Sequence, residues 1–210
     1  MSHVPTHKLS DLRKPRMSRR TEILRRATEV FERQGVKQTS IEDIAKAVGI
    51  KREAVYYYFK GRHEILAEII LPQSHALLIG LRNIVQSNRK FADKLHDAMQ
   101  NHLQSYNPSY LEMTVALRED HFFGTDQKFS DLRRVWKDYS DLWARLITEG
   151  QDCGEFRAGH DPKITAFAIL GMCNWLSRWF DPGKGKQIDE IVETYFDFAL
   201  HGLTPRDPSH

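Results

Sequence analysis

Cysteine is scarce in this 210-residue chain, and long apolar runs are missing. The only two cysteines, Cys153 and Cys173, form neither a metal-ligand spacing nor a disulfide framework, and we interpret both as reduced filler. No stretch reaches the roughly 18 uninterrupted apolar residues that a membrane span requires. The first twenty residues lack the apolar centre of a signal peptide. We therefore expect a cytoplasmic protein with no membrane partner, no metal site and no cofactor.

Strand patterns, internal repeats and low-complexity blocks are missing too. Apolar residues instead recur near the helical period, which predicts an all-α protein of about nine helices. Pro72 is expected to end or kink the fourth helix, because proline lacks an amide donor. The nearly all-apolar segment 163–180 is expected to be covered on every side. The predicted helices are 18–35, 39–50, 52–58, one from 62, 91–106, 109–123, 128–152, 163–180 and 187–201.

Charge divides the chain into a basic part and an acidic part. Residues 1–62 contain 15 Lys and Arg against 7 Asp and Glu, whereas residues 63–210 contain 16 against 21. The excess of cations persists when residues 1–20 are left out, so it belongs to folded structure as well as to a basic tail. A basic module on an acidic body is typical of a nucleic-acid-binding protein with a separate second function.

The run "AVYYYFKGR" (54–62) places three tyrosines in succession, which no single buried helix face can accommodate. Three short helices in the first 60 residues, the last two joined by "VGIK", have the size of a helix-turn-helix. The second helix of such a pair enters the major groove, where several of its faces touch DNA. Val55 and Phe59 are then the expected inward anchors.

The segment "TSIEDIAKAVGIKREAVYYYFKGRHEIL" (39–66) resembles the DNA-binding signature of the TetR family of bacterial transcriptional regulators. About a dozen positions agree in order, and with the preceding helix the match covers about 18–66. This chain departs from the pattern at Arg62, where Lys is common, and at Glu53-Ala54, where small residues are common. The resemblance implies a basic tail (1–17), a helix-turn-helix domain (18–62), and a ligand-binding and dimerisation domain (63–210).

The resemblance also assigns DNA contacts. Thr39 and Ser40 are expected to hold a phosphate through their hydroxyls at a helix N-terminus. Each tyrosine has an alternative reading, which is packing inside the three-helix module. The other predicted contacts are Arg52, Glu53 and Ala54 to base edges, Tyr56, Tyr57 and Arg62 to the DNA backbone, and Lys51 as a further cation.

In the resembled family the body holds a small-molecule cavity and a dimer interface formed largely by the last two long helices. Arg178 is either a structural partner near a helix end or the receiver of an anionic ligand group. The stretch "NWLSRWFDPGKG" (174–185) resembles the lipid- and acyl-CoA-responsive branch, the FadR and KstR type. The expected cavity residues, each with a core role as the alternative, are Met99, His102, Tyr106, Met113, Leu117, Trp136, Tyr139, Trp143, Phe167 and Trp175.

Two hypotheses result. The first is a homodimeric transcriptional repressor that binds a palindromic double-stranded DNA operator and is released by a small effector of the acyl-CoA or fatty-acid type. The alternative is a helical small-molecule-binding or catalytic protein whose basic module serves another partner. Catalysis is not expected, because adjacent Glu119, Asp120 and His121 diverge on a helix and "GKGK" lacks the spacing of a phosphate-binding loop.

Overall fold

Every regular element in the computed structural model, which describes residues 17–104 and 127–204, is helical. The all-α prediction is therefore confirmed for those residues, and their helix number is close to the expected nine. The predicted helix at 109–123 lies outside them. The elements are α1 (Arg19–Gln34), α2 (Ile41–Val48), α3 (Arg52–Tyr56), α4 (Arg62–Gln86), α5 (Phe91–Gln104), α6 (Gln127–Asp152), α7 (Pro162–Asn174), α8 (Leu176–Trp179), a 3-10 turn (Pro182–Lys184) and α9 (Ile188–Leu203).

The first three helices begin and end at residues that satisfy their backbone groups locally. The Ser18 side chain accepts a hydrogen bond from the first turn of α1. Gly35 caps the other end, where its amide donates to the Phe31 carbonyl. Ser40 and Asp43 form a reciprocal capping box at the start of α2. Helix α1 packs against α2 and α4 through a buried face that includes Ile23 and Phe31. Local sequence signals thus define this module.

Helix α4 does not end at Pro72 but continues to Gln86. Leu77, Leu78 and Leu81 are buried on it, and α4 packs against α5 and α6. We attribute the continuity to this burial, which offsets the missing amide donor of the proline. By length and composition α4 is also the one described helix that could cross a membrane, but half of its most apolar window is buried inside the chain. Its apolar character therefore has a core role.

The body is built around α6, which packs on α4 and α7, while α5 packs on α9. Trp143, Leu146 and Ile147 of α6 are fully buried. The single helix expected at 163–180 is divided at Trp175, where the hydrogen-bond pattern tightens. The Trp175 amide still reaches the Gly171 carbonyl four residues back, whereas the Arg178 amide bonds to the Trp175 carbonyl three residues back.

Candidate functional sites

The turn between α2 and α3 presents α3 outward. Gly49 has φ 76° and ψ 34°, a left-handed conformation that favours a residue without a Cβ. The Ile50 amide closes the turn on the Ala45 carbonyl at 3.0 Å. Val55 and Phe59, the predicted anchors, are buried. With those two side chains fixed in the core, most of the other residues of this segment (51–59) face solvent.

Five of the predicted DNA-contacting side chains form an exposed surface on this segment. Tyr57 is 84% exposed and meets the ring of half-buried Tyr58 edge to face at 5.0 Å. The consecutive tyrosines therefore occupy different environments: Tyr57 is exposed, whereas Tyr58 packs partly inside the module. Regular helix extends only to Tyr56, which is shorter than expected. We call this the recognition surface, and its residues are Lys51, Arg52, Glu53, Tyr56 and Tyr57; Ala54 is half-buried beside it.

Arg52 and Tyr56 are paired on this surface. The Arg52 Nη2 donates to the Tyr56 hydroxyl oxygen at 3.1 Å, and the guanidinium carbon lies 5.4 Å from the ring centroid. The hydrogen bond to Tyr56 raises the pKa of Arg52 above its ordinary value. Because the Tyr56 oxygen accepts this bond, its own hydroxyl hydrogen stays available to donate to a phosphate. The pair can therefore present a guanidinium and a hydroxyl together.

Thr39 and Ser40 have internal partners. Thr39 is buried, and its hydroxyl donates to the Gly35 carbonyl at 2.8 Å, so the phosphate contact expected of this hydroxyl is not available in this structure. The Ser40 hydroxyl donates to Asp43 Oδ2 at 2.6 Å and accepts from the Asp43 amide at 3.2 Å. Ser40 is exposed, but its hydroxyl is committed to the capping box.

Arg62 was expected to clamp the DNA backbone, and the structure instead turns it into the module. Its Nη1 donates to the carbonyls of Val36 and Thr39, each at 3.0 Å, and to that of Lys37 at 3.3 Å. These carbonyls belong to the loop between α1 and α2. Arg62 therefore ties the first residue of α4 to that loop.

A pocket of about 590 Å³ lies between α6 and α7. Three predicted ligand residues line it, namely Trp136, Tyr139 and Phe167. Lys163 and Asn174 were not predicted, although the spacing of three and four residues from Lys163 through Phe167 and Leu170 to Asn174 marks one face of a helix. The full lining is Trp136, Lys137, Tyr139, Ser140, Asp141, Lys163, Phe167, Leu170, Gly171 and Asn174.

His102 connects two of the lining residues from inside the protein. Its Nδ1 lies 2.9 Å from the Tyr139 hydroxyl, and its Nε2 lies 3.1 Å from Asn174 Oδ1. An amide oxygen only accepts, so Nε2 carries the hydrogen, and in the neutral imidazole Nδ1 accepts from the tyrosine. His102 was predicted to line the cavity. It is buried and positions the lining residues Tyr139 and Asn174 instead.

The other predicted ligand residues are distributed differently. Met99 and Trp143 are fully buried core residues, and Trp143 Nε1 has no hydrogen-bond partner among the described residues. Trp175 and Arg178 are exposed and are not part of the pocket lining. The remaining predicted residues, Tyr106, Met113 and Leu117, lie outside the described residues, as do Glu119, Asp120 and His121.

The two cysteines differ in burial. Cys153 is exposed, whereas Cys173 is buried, and burial raises the pKa of the Cys173 thiol to about 12. The Cys173 thiol is therefore neutral at physiological pH. No group of three or more His, Cys, Asp or Glu side chains in residues 17–104 and 127–204 is arranged to hold a metal ion.

A second face of α7, turned toward α9, carries exposed apolar side chains. Ile164 of α7 is 71% exposed and Phe198 of α9 is 70% exposed. They flank an apolar groove of about 340 Å³ that also includes Ala168, Met172 and Gly202. The expectation that α7 is covered on every side therefore fails within a single chain. We call this the α7–α9 face.

The two parts of the chain both match known protein families. Residues 23–69 match the family described as bacterial regulatory proteins, tetR family, and residues 88–203 match the Tetracyclin repressor-like C-terminal domain. The HTH-type transcriptional repressor KstR2 of Rhodococcus jostii (strain RHA1) is 26% identical over 186 residues, which cover 88% of this chain and 91% of that protein. This match supports the KstR-type resemblance seen in the sequence.

Two solved structures share the fold. The ketosteroid transcriptional regulator KstR2 of Mycobacterium tuberculosis superimposes with a TM-score of 0.75 at 22% identity, covering 90% of this chain and 96% of that one. AibR, solved with isovaleryl coenzyme A and operator DNA, gives a TM-score of 0.69 at 22% identity and covers 90% and 100%. With both of its halves matched, the chain belongs to the TetR family of bacterial transcriptional regulators.

Proposed function

We propose that this protein is a cytoplasmic, homodimeric repressor that binds a palindromic DNA operator and releases it when a lipid-like or acyl-CoA-type effector binds the body. It works without catalysis. Residues 1–17 add a basic tail, 18–62 bind DNA, and 63–210 bind the effector and form the dimer. The observation that carries the proposal is the recognition surface, where cations and tyrosine hydroxyls stand exposed on a segment anchored by buried Val55 and Phe59.

The chemistry of that surface fits a duplex. Arg52 can donate two hydrogen bonds to a guanine edge, and Glu53 can accept from cytosine N4. Lys51 and the hydroxyls of Tyr56 and Tyr57 suit phosphates, which position a protein without reading sequence. Groups that can bond to base edges thus lie beside groups that can donate to the DNA backbone.

The α7–α9 face supports a homodimer. Exposure of large apolar side chains such as Ile164 and Phe198 to water is unfavourable, and a second copy that covers them lowers the free energy. A two-fold axis through this face makes the contact self-complementary. It also sets the two recognition segments (residues 51–59 of each copy) against successive major-groove half-sites about 34–36 Å apart, which predicts a palindromic operator.

The pocket between α6 and α7 supports an amphipathic effector. Trp136, Phe167 and Leu170 give it apolar walls, while Tyr139 and Asn174 supply hydrogen-bonding groups. Lys163 is exposed at its rim, and the neighbouring Lys137 pairs with Asp141 at 2.6 Å. Apolar walls beside cations fit an acyl chain that carries an anionic group. The similar structures of the ketosteroid regulator KstR2 and of AibR with isovaleryl coenzyme A also support a lipid-like or acyl-CoA-type effector.

DNA binding can be tested directly with randomised duplexes. The wild-type protein should enrich a palindromic sequence, and its affinity should fall steeply with salt, because phosphate contacts release counterions. Gel-shift titration of the enriched duplex against a scrambled one measures the preference. Equal binding of the two duplexes at physiological salt would refute the repressor function and favour a protein whose basic module serves another partner.

Effector binding needs a separate measurement. Mass spectrometry of small molecules retained by the purified protein should identify the class, and isovaleryl-CoA with longer acyl-CoAs serve as probes of operator release. Lys163→Met should raise the acyl-CoA concentration needed for release. Lys186→Met, which removes an exposed lysine outside the pocket lining, is the matched control. Operator binding that no retained molecule or acyl-CoA alters would remove the effector from the proposal and leave the DNA function intact.

A further inference from the structure

We infer that Arg20 is a positioning residue for operator recognition: it fixes the recognition segment to α4, so that both move as one body. This inference rests on the proposed DNA function. It concerns how two recognition segments are held at one distance and angle, and it assigns that role to a residue outside the recognition surface.

Arg20 touches two elements that are joined by a short link. Its guanidinium carbon lies 4.6 Å from the centroid of the Phe59 ring, at the end of the recognition segment. Its Nη2 donates to the Glu68 carboxylate on α4. The hydrogen bond to Glu68 raises the pKa of Arg20 above its ordinary value, so the cation persists at every physiological pH. One side chain from α1 therefore bridges the recognition segment and α4.

The link that this bridge spans is short and has free space on one side. Lys60 and Gly61 connect the recognition segment to α4, and nothing lies within 4 Å of the position where a Cβ would stand on Gly61. No other described part of the chain therefore packs against the link at this glycine. Arg20 holds Phe59 on one side of the link and Glu68 on the other, which restricts the swing of α4.

Two further contacts restrain the start of α4. The Glu64 carboxylate accepts a hydrogen bond from the Lys60 amide at 2.6 Å. Arg62 Nη1 reaches the carbonyls of Val36 and Thr39 in the loop before α2. These contacts hold the first turn, whereas Arg20 reaches one turn further, to Glu68. Arg20 therefore extends these polar restraints on α4 by one turn, to Glu68.

Pro72 follows Glu68 by one helical turn. A proline at position 72 has no amide hydrogen, so the Glu68 carbonyl lacks the donor that an α-helix normally supplies four residues later. Past this point Leu77, Leu78 and Leu81 bury α4 in the body. The Arg20–Glu68 contact therefore lies at the turn where Pro72 cannot supply a backbone hydrogen bond.

The role is positional because the ion pair itself is only partly buried. The Arg20 side chain is 39% exposed and the Glu68 side chain 15% exposed, and such pairs contribute modestly to folding. Loss of the bridge should therefore leave the fold intact while loosening the angle between the recognition segment and α4. In a dimer, that angle decides which half-site spacing fits.

The experiment compares spacing preference in three proteins. Wild type, Arg20→Met and Arg25→Met are titrated on the enriched operator, on operators one base pair longer or shorter between half-sites, and on a single half-site. Methionine keeps an apolar stem on Phe59 but cannot pair with Glu68. Arg25→Met removes one charge from the same helix, where Arg25 pairs only with Glu29 of α1 among its described ion pairs.

We expect Arg20→Met to reduce the preference for the native spacing by roughly three- to tenfold, with half-site affinity and melting temperature close to wild type. Arg25→Met should keep the full preference. Restoring the pair in reversed order, with Arg20→Glu and Glu68→Arg together, should recover part of it.

An unchanged spacing preference in Arg20→Met would overturn the inference. An equal loss on half-site and full operator would overturn it too, since that pattern means lost affinity without lost geometry. If the wild type enriches no operator, the DNA function itself fails, and this outcome is distinct from the two above.

Discussion

The recognition surface and the α7–α9 face both expose large side chains, but the two surfaces differ in polarity. Tyr56 and Tyr57 carry hydroxyls and stand beside Lys51 and Arg52. Ile164 and Phe198 have no polar atom beyond the backbone, and the adjoining groove is mostly apolar. The first surface keeps its hydration until it meets another charged, hydrated surface. The second surface is stabilised only by contact with an apolar partner.

This difference in polarity lets one chain separate two kinds of association. DNA binding through phosphates is strongly salt-dependent, because counterions are released. Apolar association changes little with moderate salt. Raising the salt concentration should therefore dissociate the operator while the dimer persists, and mutations on the two surfaces should separate in the same way.

The largest expected effect follows a charge placed on the α7–α9 face. Ile164→Asp would bury an unpaired carboxylate between two copies, which costs about 3–5 kcal/mol and shifts the dimer dissociation constant by at least a hundredfold. Sedimentation measures the dimer, and circular dichroism checks that the monomer stays folded. Lys163→Asp, the adjacent position on the pocket rim, is the control. A dimer that survives Ile164→Asp would place the interface elsewhere.

The next effect is on base readout. Arg52→Ala should weaken operator binding roughly ten- to hundredfold and change the base preferred at one position of each half-site, since Arg52 is the exposed guanidinium at the start of α3. Selection from randomised duplexes measures the preference. Tyr56→Phe removes the acceptor that holds Arg52 and should blur the same position less strongly. A folded Arg52→Ala protein with unchanged preference would remove Arg52 from base readout.

A smaller effect is expected at Tyr57. Tyr57→Phe loses one hydroxyl from a largely exposed ring, and a lost phosphate hydrogen bond costs about 0.5–1.5 kcal/mol. Because phosphates carry no base information, all duplex sequences should weaken alike. Gel shifts on the enriched and the scrambled duplex give the two losses. Unequal losses would mean that Tyr57 reads bases.

The helix-turn-helix was predictable because its signals are local. The start of α2 at Ser40 with an acidic first turn, the stop at Gly49 and the buried anchors Val55 and Phe59 follow from caps, turns and periodicity within a short window. The internal use of Arg62 was not predictable from that window, because its partners are backbone carbonyls that only the folded loop brings near. The Thr39 hydroxyl bonds to the Gly35 carbonyl, which lies just before that window.

Contacts between distant segments escaped sequence reasoning for the same reason. Arg20 and Glu68 lie 48 residues apart, and His102 and Asn174 lie 72 apart. The helix end that Pro72 predicted is absent, because buried residues of α4 before and after the proline offset its missing amide donor. The apolar composition of α7 predicted cover on every side, but the chain itself supplies only part of that cover.

The smallest effect tests how far local signals stabilise the module. The Asp43 side chain accepts hydrogen bonds from the Ser40 hydroxyl at 2.6 Å and from the Ser40 amide at 2.9 Å, and these bonds lower the pKa of Asp43 below its ordinary value. A lowered folded-state pKa means that the ionised carboxylate stabilises the fold. This stabilisation is complete above the ordinary pKa of an aspartate and is lost as pH falls through the lower folded-state value.

Asp43→Asn is the uncharged isostere that imitates the protonated side chain. The variant should unfold at lower urea concentration than wild type at neutral pH, and the gap should close as the pH drops below the ordinary aspartate pKa. Unfolding curves at a series of pH values measure it, with Asp141→Asn on α6 as a control for removing one carboxylate elsewhere. Asp141 pairs with Lys137 on the surface and caps no helix. A gap that stays constant with pH would mean that Asp43 contributes through shape alone, and the local capping account of α2 would lose its electrostatic part.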